Sequence, residues 1–392
     1  MLSNIRHYSN SSCIAALAQT LNTKPLSSLH TSSNSESNPP ALPAPQNLAE
    51  EPPIICSVVS RDSKWLAFSS TNATVQLWSR TSTAQHALKS HTDWVSSIAF
   101  SEDSRWLASA SYNGMIHLRK IENNQPADFY NTLSCDGLSV SSMAFLQTAE
   151  VTQLAAGTIF KKIFIWSLND QKEPKLLRKL SISDSIYQVS FSNDGQWLAS
   201  SSNQFIYVYG TVNSFKLTDT VNTFFDATCI TFSPDNLWLA SGSTDGVIRL
   251  WSFAANQTTP PSLRYTFKGH MAAINCLVFS EDSKQLAATS VNNTFSIWSL
   301  DPGQSRAVIR HCSKDLLSVM WQPTLAQNPL LLTRGSDHSI NLWEVETNGL
   351  SLHMHRSWTL HQDKRSTTMM AIENPVKSNA KTFRPMHSAQ LQ

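Results

Sequence analysis

Five aspartates, Asp62, Asp103, Asp194, Asp235 and Asp282, sit in one recurring polar motif, read as SRDSKW, SEDSRW, SNDGQW, SPDNLW and SEDSKQ. Carboxylates brought to one point could do general acid–base chemistry. Five in the same slot of separate copies are turn formers instead, because Asp in a turn accepts from nearby backbone amides. His353, His355 and His361 offer imidazoles for a metal. The bland reading is a strand with surface histidines. Six cysteines, Cys13, Cys56, Cys135, Cys229, Cys276 and Cys312, lie far apart with no CxxC spacing. That distribution suits free thiols in a reducing compartment, with neither a disulfide framework nor a zinc site. No Gly-rich phosphate loop, HExxH or nucleophile elbow is present. The expectation is therefore no catalytic residue, no metal and no cofactor.

The elements that carry these residues repeat. Strands ending QLW, IHLR, FIW, YVY, IRLW, SIW and NLW stop at Trp78, Arg119, Trp166, Tyr209, Trp251, Trp298 and Trp343. The period is ~44 residues, and seven copies fill residues 54–360. Each copy opens on a short alternating strand such as SSIAF, YQVSF, TCITF or NCLVF, then the polar turn. A second strand (WLASAS, WLASGS), an Asn/Asp turn, the aromatic-ended strand and a weaker fourth strand follow. Period-two alternation broken by Asn, Asp, Gly and Ser marks antiparallel hairpins. Four strands per copy at this period predict an all-β fold, each copy being what a four-stranded antiparallel β-propeller blade needs.

FSPDNLWLASGSTDGVIRLW and the FKGH at 267–270 resemble the WD-repeat family, and the resemblance covers about four-fifths of the chain. It implies a seven-bladed β-propeller of four-stranded antiparallel blades packed face to face. It also implies a hydrogen-bonded set joining the strand-ending Trp to an Asp by way of a His and a Ser/Thr. The matching positions are His91, Asn113, Asp245, Trp251, His270, Asn292, Trp298, Asp337 and Trp343. Asn often replaces the Asp, so a neutral amide stands where a charge-assisted bond would be. Arg119 replaces a Trp; drift would lay its stem over neighbours and its head toward solvent or Glu122. Independently of the family, a small or polar residue recurs on the innermost strand: Cys56, Ser97, Ser142, Cys229, Cys276 and Ser318, with Gln188 as the exception. Strands crowding round an axis leave little room there.

The chain is 41% hydrophobic and 15% charged, with net charge +2. That balance gives no nucleic-acid footprint, and no run of eighteen apolar residues could span a membrane. Residues 1–50 hold ten serines and two acids, Glu36 and Glu50, and are expected to form a disordered arm. The propeller is expected over 51–360 and an irregular basic tail over 361–392. The cytoplasm is the expected compartment, although MLSNIRHYSNSS has the acid-poor, Ser-rich look of a targeting segment and keeps mitochondrial or secretory routes open.

Propellers carry no fixed chemistry, so function must be sought at sites. WD-repeat relatives often bind partners on the face made by the loops entering the first strand and by the Asn/Asp turns. On this chain that face would include Trp94, Tyr112, Phe160, Lys161, Tyr187, Asp226, Asn275 and His338. Trp94, Tyr112 and Tyr187 would anchor an extended peptide or loop, because aromatics with polar tips are effective interface anchors. Asp226 and Lys161 would set its polarity. The reading is a non-catalytic scaffold, a monomeric propeller within a larger complex whose partners are proteins or peptides. A narrower alternative is a ubiquitin-ligase substrate receptor, although the Trp-Asp-x-Arg box is absent. An alternative of another class is a propeller enzyme with a metal or acid–base site in the channel. A second aromatic set, Trp65, Trp106, Trp197 and Trp238, is read as packing between blades, with an apolar docking rim as the alternative.

Overall fold

A computed structural model describes residues 54–373 except 63, 71–72, 80–84, 90, 123–127, 149–150, 170–171, 213, 254–260, 301–306, 312–315, 323–329, 336–338, 346–351 and 363–368. Residues 1–53 and 374–392 lie outside it, and with them the arm expected over 1–50. The described residues contain strands and no helix, arranged as seven antiparallel sheets. In each sheet the strands stand in chain order, so every blade is a meander. The first strands are Ile54–Val59, Val95–Phe100, Val140–Gln147, Gln188–Phe191, Ala227–Phe232, Ile274–Phe279 and Leu316–Gln322. They pack against one another from blade to blade and form the inner layer of a seven-bladed propeller.

Second strands such as Trp106–Ser111 and Trp197–Ser201 are buried along their whole length. A strand covered on both faces by neighbouring blades must be apolar or small at every position, which is why these read WLASAS and WLASS. Packing is tight at Gly242, where a Cβ would lie 2.5 Å from Ile274 Cγ2 and force a neighbour to shift. The small inner column is buried as expected at Cys56, Ser97, Ser142, Cys229 and Cys276. Gln188, the exception, sends its side-chain oxygen to the backbone N–H of Ile230 in the next blade, at 3.1 Å.

The recurrent aspartates are turn formers. Ser60, Ser101, Ser192 and Ser280 donate to Asp62, Asp103, Asp194 and Asp282 at 2.5–2.6 Å, and Ser233 does the same to Asp235. The same carboxylates accept from the amide two residues on. Neighbouring blades are also linked here: the amides of Asp62, Asp103, Asp194 and Asp235 donate to Ser104, Gln147, Asn236 and Ser283. These turns join first to second strands, at the end of the propeller opposite the Asn/Asp turns.

The C-terminal region departs from expectation. The fourth strand of blade 7 runs Leu352–Gln362, and a fifth, Met369–Glu373, pairs with it inside the segment expected to be irregular. Among the described residues, blade 7 takes its strands from residues 316–373.

Candidate functional site

One end of the propeller is built by two kinds of segment, the loops leading into the first strands and the turns between second and third strands. A backbone bond clips them together in blades 2, 3, 5 and 6. Tyr112 N donates to Trp94 O at 3.0 Å, Ile159 N to Ser139 O at 3.1 Å, Thr244 N to Asp226 O at 3.0 Å and Val291 N to Ala273 O at 3.1 Å. These clips bring together residues that lie nearly twenty positions apart in each repeat.

Trp94 and Tyr112 meet edge-to-face, ring centroids 6.4 Å apart, and Trp94 is 38% exposed. Asn113 fixes the turn, donating to Thr92 Oγ1 at 3.0 Å and accepting from Met115 N at 3.0 Å. Phe160 is 53% exposed beside Lys161, which has a left-handed backbone at φ 67°. Tyr187 is half-buried and donates to Asn203 Oδ1 at 2.9 Å. Burial first, and then Asp226 and Asp184, push its phenol up from the ordinary range. Asp226 is half-buried at the foot of blade 5, and burial raises its carboxyl. His338, with Asp337, lies outside the described residues.

Asn275 is a correction. It is 4% exposed and accepts from Thr289 Oγ1 at 2.6 Å. The cause is a β-bulge: the pairing of first and second strands shifts between Ile274 and Cys276, so the skipped residue bonds sideways to the second strand. Ser96 and Thr228 occupy the same bulge and bond the carbonyls of Ala110 and Gly242. The slot is structural.

Four further residues on this face escaped the sequence reading: Phe224 (67% exposed), Phe225 (49%), Met271 (95%) and Val291. Phe224 and Phe225 sit in the loop TFFD leading into blade 5. The available signal was two adjacent phenylalanines outside any alternating strand. Phe224 is also held at φ 65°, strained for a side chain of its size. Asn222 Oδ1 accepts from its amide at 2.7 Å, and Thr223 Oγ1 donates to Phe225 O at 2.7 Å.

The Trp-linked set varies from blade to blade. In blade 6, Trp298 Nε1 donates to Ser296 Oγ at 2.8 Å, and Ser296 meets His270 Nε2 at 2.6 Å. His270 Nδ1 lies 2.8 Å from Thr294 Oγ1, which donates to Asn292 Oδ1 at 2.6 Å. A neutral imidazole protonated on Nδ1 satisfies the chain, and burial lowers the His270 pKa to about 4. The second strand has Ala288 where blade 5 has Ser241, so Ser296 of the third strand supplies the missing hydroxyl. In blade 5, Trp251 Nε1 donates to Ser241 at 3.1 Å, while Asp245 pairs with Arg249 at 2.8 Å in place of a histidine. Trp343 Nε1 donates to Thr333 at 2.9 Å.

In blade 2, His91 Nε2 meets Ser109 Oγ at 2.7 Å and its ring packs on His117 at 4.2 Å. Burial, then His117 and Arg119, lower the His91 pKa to about 3. Arg119 lies over the Phe129 ring at 5.7 Å, and it is Lys120 that reaches Glu122, at 2.6 Å. Trp65, Trp106 and Trp197 are buried and Trp238 is half-buried against Tyr265, so this set packs between blades and makes no rim.

Four segments, 82–119, 174–210, 218–252 and 261–299, match the family model described as WD domain, G-beta repeat. Among solved structures, Sqt1 from Chaetomium thermophilum is 15% identical with a TM-score of 0.67, covering 79% of this chain and 88% of that chain. The same protein bound to the N-terminus of the ribosomal protein L10 gives the same figures. The β-propeller domain of Myceliophteria thermophila Cps50 (Swd1) is 16% identical with a TM-score of 0.61, covering 76% of this chain and 99% of that chain. Comparison with curated proteins finds no match.

Proposed function

We propose, from its being a WD-repeat propeller, that this protein is a non-catalytic scaffold whose loop face holds an extended segment of another protein. The observation that carries the proposal is the gathering of exposed apolar side chains on that face: Trp94, Phe160, Phe224, Phe225, Met271 and Val291. Exposed apolar surface rimmed by polar groups favours association, because burying it against a partner removes it from water. Trp94 and Tyr112 form a braced aromatic pair that loses little freedom on binding. The recurrent aspartates are engaged by serine hydroxyls and backbone amides, which supports the non-catalytic reading. Sqt1, whose fold this chain shares, holds the N-terminus of a ribosomal protein.

Capture from native lysate tests the reading, with full-length chain beside a Trp94→Ala/Tyr112→Ala variant whose fold is checked by circular dichroism. Specific proteins retained by the wild type should be lost by the folded variant. Equal retention by both forms would refute the loop face as the docking surface.

A further inference from the structure

The loop face is uneven in charge. Asp136 and Asp245 are held by Lys179 and Arg249, at 2.5 and 2.8 Å. Asp184 and Asp226, at the mouths of blades 4 and 5, form no ion pair with a described residue. Asp184 accepts from Tyr207 OH at 3.0 Å and from Ser183 Oγ at 3.3 Å, both neutral donors. No described donor reaches the Asp226 side chain, although its backbone is fixed by the clip to Thr244. Of the described lysines at this end, Lys162 and Lys179 face Asp136, while Lys161 and Lys268 belong to the turn of blade 3 and the outer strand of blade 5.

Tyr187 donates to Asn203, and Ala227 N donates to Ser202 O at 3.0 Å, so Tyr187 and Asp226 flank the same turn of blade 4, with Asp184 three residues before Tyr187. Both carboxylates act on the Tyr187 phenol. Phe225 precedes Asp226, and Phe224 is presented beside it by a strained backbone. A half-buried carboxylate without a counter-charge is destabilised, and an approaching cation relieves it. Apolar surface next to such a carboxylate suits a side chain with an alkyl stem and a cationic head. We infer that the partner segment is basic, and that one of its Lys or Arg side chains lies beside Tyr187 and Phe225 with its head at Asp184 and Asp226. This rests on the docking reading above and adds the charge of the partner.

The test is selection of binders from a displayed random dodecapeptide library on the full-length chain. Affinities are then measured on wild type, on Asp184→Asn/Asp226→Asn and on Trp94→Ala/Tyr112→Ala. The inference expects binders enriched in Lys and Arg that weaken by on the order of tenfold on each variant. Their affinity for the wild type should also fall as salt rises. That salt response needs no variant to fold. Binders without excess Lys or Arg, lost on Trp94→Ala/Tyr112→Ala but indifferent to the amide pair, would overturn the basic partner and leave the docking face standing. Binders indifferent to both variants, or none above background, would overturn both.

Discussion

His91 and His270 open the loops into blades 2 and 6, and both are kept neutral by burial. In blade 6 the imidazole is bonded on both nitrogens; in blade 2 the Nδ1 atoms of His91 and His117 are buried without a partner. The sign of the pH effect follows. An unfolded histidine titrates near 6.5, whereas the folded values are about 4 for His270 and about 3 for His91. The unfolded state therefore binds more protons between those limits. Stability is intact above pH ~6.5 and falls as pH drops, by about 1.4 kcal/mol per unit for each histidine. Urea denaturation at pH 7.5 and 5.0 should show a loss of roughly 2 kcal/mol per histidine. The loss should shrink in His91→Gln/His270→Gln; an identical loss in that variant would contradict the assignment. The histidines and the strand-ending tryptophans of the other blades were legible in the sequence because the repeat aligns them. The partners were not: Ser296 replaces the hydroxyl missing at Ala288 from a different strand, and Arg249 takes up Asp245. Substitutions that compensate across a hairpin break the column that an alignment of repeats relies on.

Strand order and turn positions were legible because alternation and Asn/Asp/Gly punctuation are local. Bulges were not. In five blades the pairing of third and fourth strands shifts at the strand-ending residue, between Leu118/Arg119, Ile165/Trp166, Val208/Tyr209, Leu250/Trp251 and Leu342/Trp343. A bulge is a property of register, so no single strand announces it. The inner bulges have the same standing, and they explain why Asn275 is core. The loop residues Phe224 and Phe225 were missed for a related reason: residues between strands fall outside the repeat's pattern. The close approach of blades 5 and 6 yields a direct expectation. Gly242→Ala would force its Cβ into Ile274 and should cost about 1–3 kcal/mol. Chemical denaturation measures it, and an unchanged midpoint would show that the inner strands give way.

Seven meanders of contiguous chain leave two ends with different duties. One end is closed by Ser–Asp turns that bond from blade to blade and exposes single aliphatic residues, Val151, Val212 and Leu237. The other presents aromatic and aliphatic side chains to solvent, with Asp184 and Asp226 among them. Exposed apolar residues also occur on the outer wall, where Leu176, Leu217 and Leu263 stand opposite Trp166, Tyr209 and Trp251 in the pairing. They are spread one per blade, each paired with a strand-ending aromatic, which gives them a packing role. The central claim is that partners meet the loop face and not this wall. The most direct measurement places the photo-crosslinking residue p-benzoylphenylalanine singly at positions 94, 160 and 224 on the face and 176, 217 and 263 on the wall. Irradiation in native lysate should join the partner to the face positions and leave the wall positions uncoupled. Coupling through the wall positions alone would contradict the account.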